Sequence, residues 1–168
     1  QFTRGRALAR QVDQQVHTVS AMNRRLTMEL QCSRVLLDQG RLNDALEAYE
    51  SLLPLARQLA REGDSQAVTR YIGACYDMSQ LCGQLGQPDK GVAYARQGLA
   101  GARALAQEMP TLSHQRNLAA LYLQYGDSCL LTHTPDKTLD PDIVHSYRQG
   151  AQLAQQVAQR TGSAQGWM

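Results

Sequence analysis

The stretch LDQGRLNDALEAYESLL (residues 37–53) holds the end of one leucine-rich helix, a short polar turn and the start of another helix. Gly40 predicts where the first helix ends, because a left-handed residue closes a helix and glycine adopts that conformation at little cost. Apolar residues recur at steps of three and four on both sides of the turn. The stretch therefore predicts a hairpin of two antiparallel helices.

The same arrangement recurs along the chain at a fixed spacing. Gly40 and Gly86 lie 46 residues apart, and Cys82 and Cys129 lie 47 apart. Small residues recur at the same spacing. They are Ser33, Ser79 and Gly126, one in the first helix of each hairpin. A fixed period of helix pairs is typical of an α-solenoid, in which each hairpin buries its apolar face against its neighbours. The sequence predicts an all-α, right-handed α-solenoid of about three antiparallel hairpins with period 46–47.

Helix-start signals give the predicted boundaries. Ser65 is expected to cap the third helix, Thr111 or Ser113 the fifth, and Asp140-Pro141-Asp142 begins the sixth. Pro54 lies inside the second helix, where a kink or break is expected. The predicted single domain comprises a lead-in helix at 1–20, hairpins at 21–62, 65–109 and 111–160, and a tail or further unit at 161–168. Because the chain begins with Gln, we expect it to be a fragment of a larger protein.

Charge and hydropathy exclude two classes of partner. The formal net charge is +2, and acidic and basic residues are spread along the chain, so no basic stripe predicts nucleic-acid binding. No run approaches the roughly 20 apolar residues that a membrane span needs. We therefore expect no direct membrane insertion of this chain.

Four residues of the first hairpin carry a resemblance to a known family. Ser33 is a small residue midway in the first helix, and Leu36 is a large residue three positions later. Ala45 lies early in the second helix and Tyr49 follows it by four. In this pattern the sequence resembles the tetratricopeptide (TPR) family. The helix-A Trp and the closing Pro of the family are absent, and the period exceeds the family's ~34 residues, so we expect longer helices.

A narrower resemblance concerns residues 116–127, RNLAALYLQYGD, and residues 158–167, AQRTGSAQGW. They are similar to the long, degenerate repeats attached to bacterial membrane-bound Ser/Thr protein kinases. The resemblance implies a non-catalytic interaction or sensory domain of a bacterial signalling protein, in the C-terminal region of a transmembrane kinase. It also implies the periplasmic side of the inner membrane. The cytoplasm is the alternative, because four cysteines fit an oxidising compartment less well.

The TPR resemblance implies a binding surface on the first helices. In that family the first helix of each hairpin lines a concave groove that holds a peptide or protein partner. Arg and Tyr suit such anchoring, since both give large contacts at low entropic cost. The Lys and Asn clamp for an acidic C-terminal tail is absent. Carried over by alignment, the groove residues are Leu30, Arg34, Leu37, Tyr76, Gln80, Leu123 and Asp127, with Thr27, Gly73, Gly83, Ala120 and Leu130 in the same register.

Two other functions stay open. A small-molecule-sensing domain would need polar groups that converge in a cleft, and four tyrosines could supply hydroxyls. A metal or thiol site could use Cys82, Cys129 and His133, but no fourth ligand or orienting carboxylate follows from the spacing. We therefore predict buried free thiols and no catalytic residue, metal or cofactor. The four tyrosines are Tyr71, Tyr76, Tyr122 and Tyr125.

The predicted ends of the array suggest self-association. A solenoid without capping repeats exposes the apolar stripes of its terminal helices. Exposed apolar patches of this kind favour association between copies. We therefore expect that the isolated chain can form a homodimer.

Overall fold

The computed structural model describes residues 19–133 and 140–162. These residues form six α-helices and no strand, which confirms the all-α class. Most of the predicted lead-in helix and tail lies outside the described residues. The helices are α1 (Val19–Asp38), α2 (Leu42–Arg61), α3 (Ser65–Gln84), α4 (Pro88–Glu108), α5 (Leu112–Thr132) and α6 (Pro141–Thr161).

Glycines close the first three helices in the left-handed conformation. Gly40, Gly63 and Gly86 have φ values of 72°, 83° and 69°. After the first of these turns, the N–H of Arg41 donates to the carbonyl of Leu36 at 2.9 Å. This bond satisfies a carbonyl that the helix end would otherwise leave without a partner. The helix ends predicted at Gly40 and Gly86 are confirmed.

Side-chain caps begin the last two helices where the sequence predicted them. The Thr111 hydroxyl accepts a hydrogen bond from the N–H of His114 at 3.1 Å. The Asp140 carboxylate accepts from Asp142, and Pro141 occupies the first helical position, where its missing N–H is not needed. Thr111, rather than Ser113, is therefore the cap of α5.

The predicted cap of α3 was wrong by one residue. Asp64 Oδ1 accepts the N–H of Ala67 at 2.9 Å, and Ser65 is the first helical residue. A carboxylate at this position satisfies an N–H of the first turn and also interacts favourably with the helix dipole. Asp64 therefore begins the helix more effectively than the hydroxyl that follows it.

Chain contacts divide the protein into two compact units, Gln1–Ala74 and Cys75–Met168, and the division falls inside α3. In the first unit, α1 and α2 pack against each other and against the start of α3. A single cluster of buried apolar side chains joins the three elements. It contains Leu26, Leu52, Ala56, Leu59 and Ala67, with Met22, Leu30, Leu55 and Tyr71 packed around it.

The α2 helix runs through Pro54 to Arg61, so the predicted break is not found. Leu52, Leu53 and Ala56 are buried beside the proline. This packing holds the helix together although Pro54 donates no backbone hydrogen bond.

In the second unit, small residues lie where helices approach each other most closely. A Cβ atom at Gly91 of α4 would lie 3.1 Å from the carbonyl oxygen of Ser79 in α3. A Cβ atom at Gly126 of α5 would lie 3.1 Å from the ring of Tyr147 in α6. These contacts show why small residues recur at the predicted repeat positions.

A buried polar network also joins α3 to α5. The hydroxyl oxygens of Ser79 and Ser128 are 2.7 Å apart, and Gln124 Nε2 donates to both. All three residues are buried. The helices α1, α3 and α5 thus each pack against the second helix of their hairpin. In addition, α1 contacts the start of α3, and the later part of α3 contacts α5. This is the nearest-neighbour packing of a helical repeat array.

We expect Asp64→Ala to destabilise the first unit by about 1 kcal/mol, the usual effect of losing an N-cap. The hydrogen bond from the Ala67 N–H holds the pKa of the Asp64 carboxyl below its usual value of 3.8. A carboxyl with a lowered pKa stabilises the fold above its unfolded pKa and loses that effect as pH falls through its folded pKa. Urea unfolding of Asp64→Ala and the wild type should therefore differ above pH 3.8 and converge as pH falls below it. A difference that does not change with pH would contradict this role.

Candidate binding surfaces on the first helices

In the first unit, the three predicted groove residues of α1 differ in their surroundings. Leu30 is half-buried and packs against the apolar cluster that joins α1, α2 and α3. Leu37 is half-buried, and Arg34 is exposed. Leu30 therefore contributes to helix packing in addition to any binding surface. Arg34 is the residue of this set that a partner reaches most easily.

In the second unit, the structure brings three predicted residues together. Gln80 Nε2 donates to the hydroxyl of Tyr76 at 3.0 Å, one turn away on α3. Burial raises the pKa of Tyr76, and the negative charges of Asp77 and Asp127 raise it further. The Ser79 and Ser128 hydroxyl oxygens, 2.7 Å apart, place this part of α5 beside this part of α3.

Asp127 also has a partner that the sequence did not predict. The hydroxyl of Tyr147 on α6 donates to the Asp127 carboxylate. Burial, this hydrogen bond and the charge of Asp127 together raise the pKa of Tyr147 to about 12. The phenol therefore remains a protonated donor at neutral pH, and it fixes the carboxylate. Tyr147 follows the loop between α5 and α6, so sequence spacing alone does not place it beside Asp127.

The fourth predicted residue of this unit, Leu123, lies at a helix contact. If Gly150 of α6 carried a Cβ atom, that atom would lie 2.8 Å from Leu123 Cδ2. Leu123 thus packs α5 against α6. Towards the end of α5, Leu130 and Leu131 are 46% and 60% exposed. We use "second-unit surface" for Tyr76, Gln80, Asp127, Tyr147, Leu130 and Leu131.

The first unit also has a cleft between α1 and the start of α3, with a volume of about 800 Å³. Thr27, a predicted register position, is one of its walls. Arg70 donates to Asn23 Oδ1 at 3.1 Å, and Asn23 donates to the Asp64 carboxylate. We use "first-unit cleft" for this feature, which is lined by Val19, Ser20, Asn23, Arg24, Thr27, Met28, Asp64, Gln66 and Arg70.

The pairing inside this cleft has a signal in the sequence that was missed. Asn23 and Arg70 lie 47 residues apart, which is one repeat period. Equivalent positions of successive first helices face each other in a repeat array, so polar residues at that spacing can meet. A search for complementary polar pairs at the repeat spacing would have found them.

The four tyrosines of the small-molecule alternative have separate partners. Arg103 of α4 donates to the Tyr122 hydroxyl at 3.1 Å, and its guanidinium lies 4.9 Å from the ring centre. Arg96 donates to Tyr125 at 3.5 Å. In the first unit, Arg57 contacts Tyr71 in the same way, and Tyr76 bonds Gln80. None of the four lines the first-unit cleft.

The cysteines are free thiols, and Cys32, Cys75 and Cys82 are buried. Cys129 is half-buried, and burial raises the pKa of its thiol. A raised pKa keeps the sulfur protonated at neutral pH, whereas a nucleophile needs the thiolate. In residues 19–133 and 140–162, no group of three His, Cys, Asp or Glu side chains could hold a metal ion.

Among the helices that the structure describes, none is long and apolar enough to cross a membrane. Comparisons of the chain with protein-family models, with curated proteins and with solved structures find no match. The packing described above is consistent with a helical repeat array.

Proposed function

We propose that this chain is a non-catalytic interaction domain that binds a protein or peptide on the first helices of its hairpins. The observation that supports this most is the second-unit surface. It combines a fixed carboxylate at Asp127, the amphipathic ring of Tyr76 and the two exposed leucines at the end of α5. Tyrosine rings with exposed apolar neighbours are typical of protein-binding sites.

The packing also favours an interaction surface over an enclosed reaction site. The polar groups of α3 and α5 that face inward bond each other and are buried. Arg34 on α1, Gln80 on α3 and Asp127 on α5 are exposed on the first helices. Such faces suit contact with an extended peptide or a partner helix.

The cellular context of the proposal rests on the resemblance of residues 116–127 and 158–167 to kinase-attached repeats. On that basis we place the domain in a bacterial signalling protein, where partner binding or self-association would regulate a Ser/Thr kinase domain. Four free thiols make the cytoplasm the alternative to the periplasmic side.

A capture experiment tests the proposed function. The purified wild-type chain and a triple variant are immobilised separately. The triple variant, called the first-helix variant, carries Arg34→Ala, Tyr76→Ala and Asp127→Ala. A matched control replaces three exposed residues of the second helices, Glu47→Ala, Gln107→Ala and Gln156→Ala. We expect the wild type and the control to retain a specific protein that the first-helix variant loses.

Circular dichroism should show the same helix content in all three proteins. Light scattering of each sample then distinguishes a heterologous partner from a second copy of the chain. Equal recovery of the same partner by the wild type and the first-helix variant would contradict binding on the first helices.

A further inference from the structure

The described residues that line the first-unit cleft include two arginines and one carboxylate, so the lining has a net positive charge. Arg24 is exposed and makes no hydrogen bond or ion pair with any described residue. Arg70 donates to two neutral acceptors, Asn23 Oδ1 at 3.1 Å and Gln66 Oε1 at 3.2 Å. A guanidinium has five N–H donors, so these two bonds leave three donors of Arg70 unused. Among the described residues that line the cleft, Asp64 is the only carboxylate, and the charge of Arg70 acts on it.

Hydrogen bonds hold this arrangement in place. Asp64 accepts from the Ala67 N–H and from the Asn23 amide, so both of its oxygens are engaged. The Asn23 Oδ1 atom of the same amide accepts a hydrogen bond from Arg70. The guanidinium of Arg70 is thus oriented before any ligand arrives, which reduces the entropic cost of binding.

An apolar patch lies in the same cleft. Met28 is 41% exposed and Val19 is 45% exposed, and both line it. Methionine is flexible and polarizable, and it adapts to apolar ligands of different shape. The cleft therefore offers cationic and apolar groups together within about 800 Å³.

We propose that the first-unit cleft binds an acidic peptide segment that also carries an apolar side chain. Arg24 and Arg70 bind side-chain carboxylates, because the planar guanidinium matches a carboxylate with two parallel hydrogen bonds. Met28 contacts the apolar side chain. The inference rests on the proposed peptide-binding function and specifies the chemistry of one ligand. It concerns carboxylates within the peptide, since the clamp for a free C-terminal tail is absent.

Fluorescence anisotropy with three labelled, C-terminally amidated eight-residue peptides tests the inference. The first alternates Glu and Leu, the second replaces Glu with Lys, and the third replaces Leu with Ser. We expect the Glu/Leu peptide to bind at least about tenfold more tightly than the Lys/Leu peptide, and less tightly as salt is added, because salt screens exposed charges. The Glu/Ser peptide should bind more weakly than Glu/Leu.

Variants of the two arginines locate the binding. Arg24→Gln should weaken binding of the Glu/Leu peptide about tenfold, the scale of a lost charge-assisted contact. Because Arg24 has no intramolecular partner among the described residues, this change leaves the fold intact. Arg70→Gln should have a similar effect. Arg61→Gln, an exposed arginine of the same unit outside the cleft, is the control and should bind as the wild type does.

Three outcomes would overturn the inference and leave the proposed function standing. The first is binding of the Lys/Leu peptide as tight as that of Glu/Leu. The second is equal binding of Glu/Leu by the wild type and Arg24→Gln. The third is failure of all three peptides while the captured partner still binds the first helices. Failure of the peptides together with failure of the capture experiment would reject the proposed function as well.

Discussion

Tyr49→Ala should lower the free energy of unfolding of the first unit by about 3–5 kcal/mol, as large aromatic truncations in protein cores do. Tyr49 has 0% exposure and is the largest fully buried side chain among the residues that the structure describes. Its removal would leave a cavity in α2 that the surrounding helices can only partly fill. Of the sequence-predicted family positions, it is the one with the greatest effect on packing.

Urea denaturation, followed by circular dichroism, measures this loss. Tyr49→Phe is the matched control, because it keeps the ring and removes only the hydroxyl, with an expected effect of about 1 kcal/mol. A Tyr49→Ala variant with the unfolding midpoint of the wild type would contradict the core position of this residue.

Alanine at Gly150 should destabilise the second unit by about 1–3 kcal/mol, the usual range for an overpacked contact. The new Cβ atom would lie 2.8 Å from Leu123 Cδ2 and 3.2 Å from the carbonyl oxygen of Ala119. The leucine side chain can rotate, but the backbone oxygen moves only if α5 and α6 separate. The better helix propensity of alanine does not offset that separation.

The Gly73→Ala variant, by contrast with Gly150→Ala, should be more stable than the wild type. Nothing lies within 4 Å of a Cβ atom at this position, which is inside α3. Gly73→Ala should therefore stabilise the protein by about 0.5–1 kcal/mol, because alanine has the higher helix propensity and meets no steric conflict. Thermal unfolding of the two variants should therefore shift in opposite directions. A higher melting temperature for Gly150→Ala would mean that α5 and α6 pack less closely than described.

The regular features of the fold were predictable because local chemistry determines them. Gly40 and Gly86 end helices through their left-handed conformation, and Asp140 with Pro141 begins one. Where two adjacent residues could both cap a helix, at Asp64 and Ser65, local rules did not distinguish them. The six helices of the described residues were predicted from periodicity.

The candidate surfaces were less predictable because they depend on contacts between helices. Tyr76, Gln80 and Asp127 follow from the family register, and the structure brings them together. The same register does not show that Leu123 is used for packing, nor that Tyr147 reaches Asp127 from another helix. Side-chain rotamers and helix rotation decide such contacts, and neither is visible in a repeat period.

The hydroxyl pair of Ser79 and Ser128 makes the hairpins unequal. The residue one period before Ser128 is Leu81, so an additional copy of an earlier hairpin would bring an apolar side chain to the position of that buried hydroxyl. Ser79 would then lose its hydrogen bond with the Ser128 hydroxyl, a loss of about 0.5–1.5 kcal/mol for one intramolecular hydrogen bond. A duplicated second hairpin would therefore need a compensating substitution at this position to keep the Ser79 hydroxyl paired as it is with Ser128.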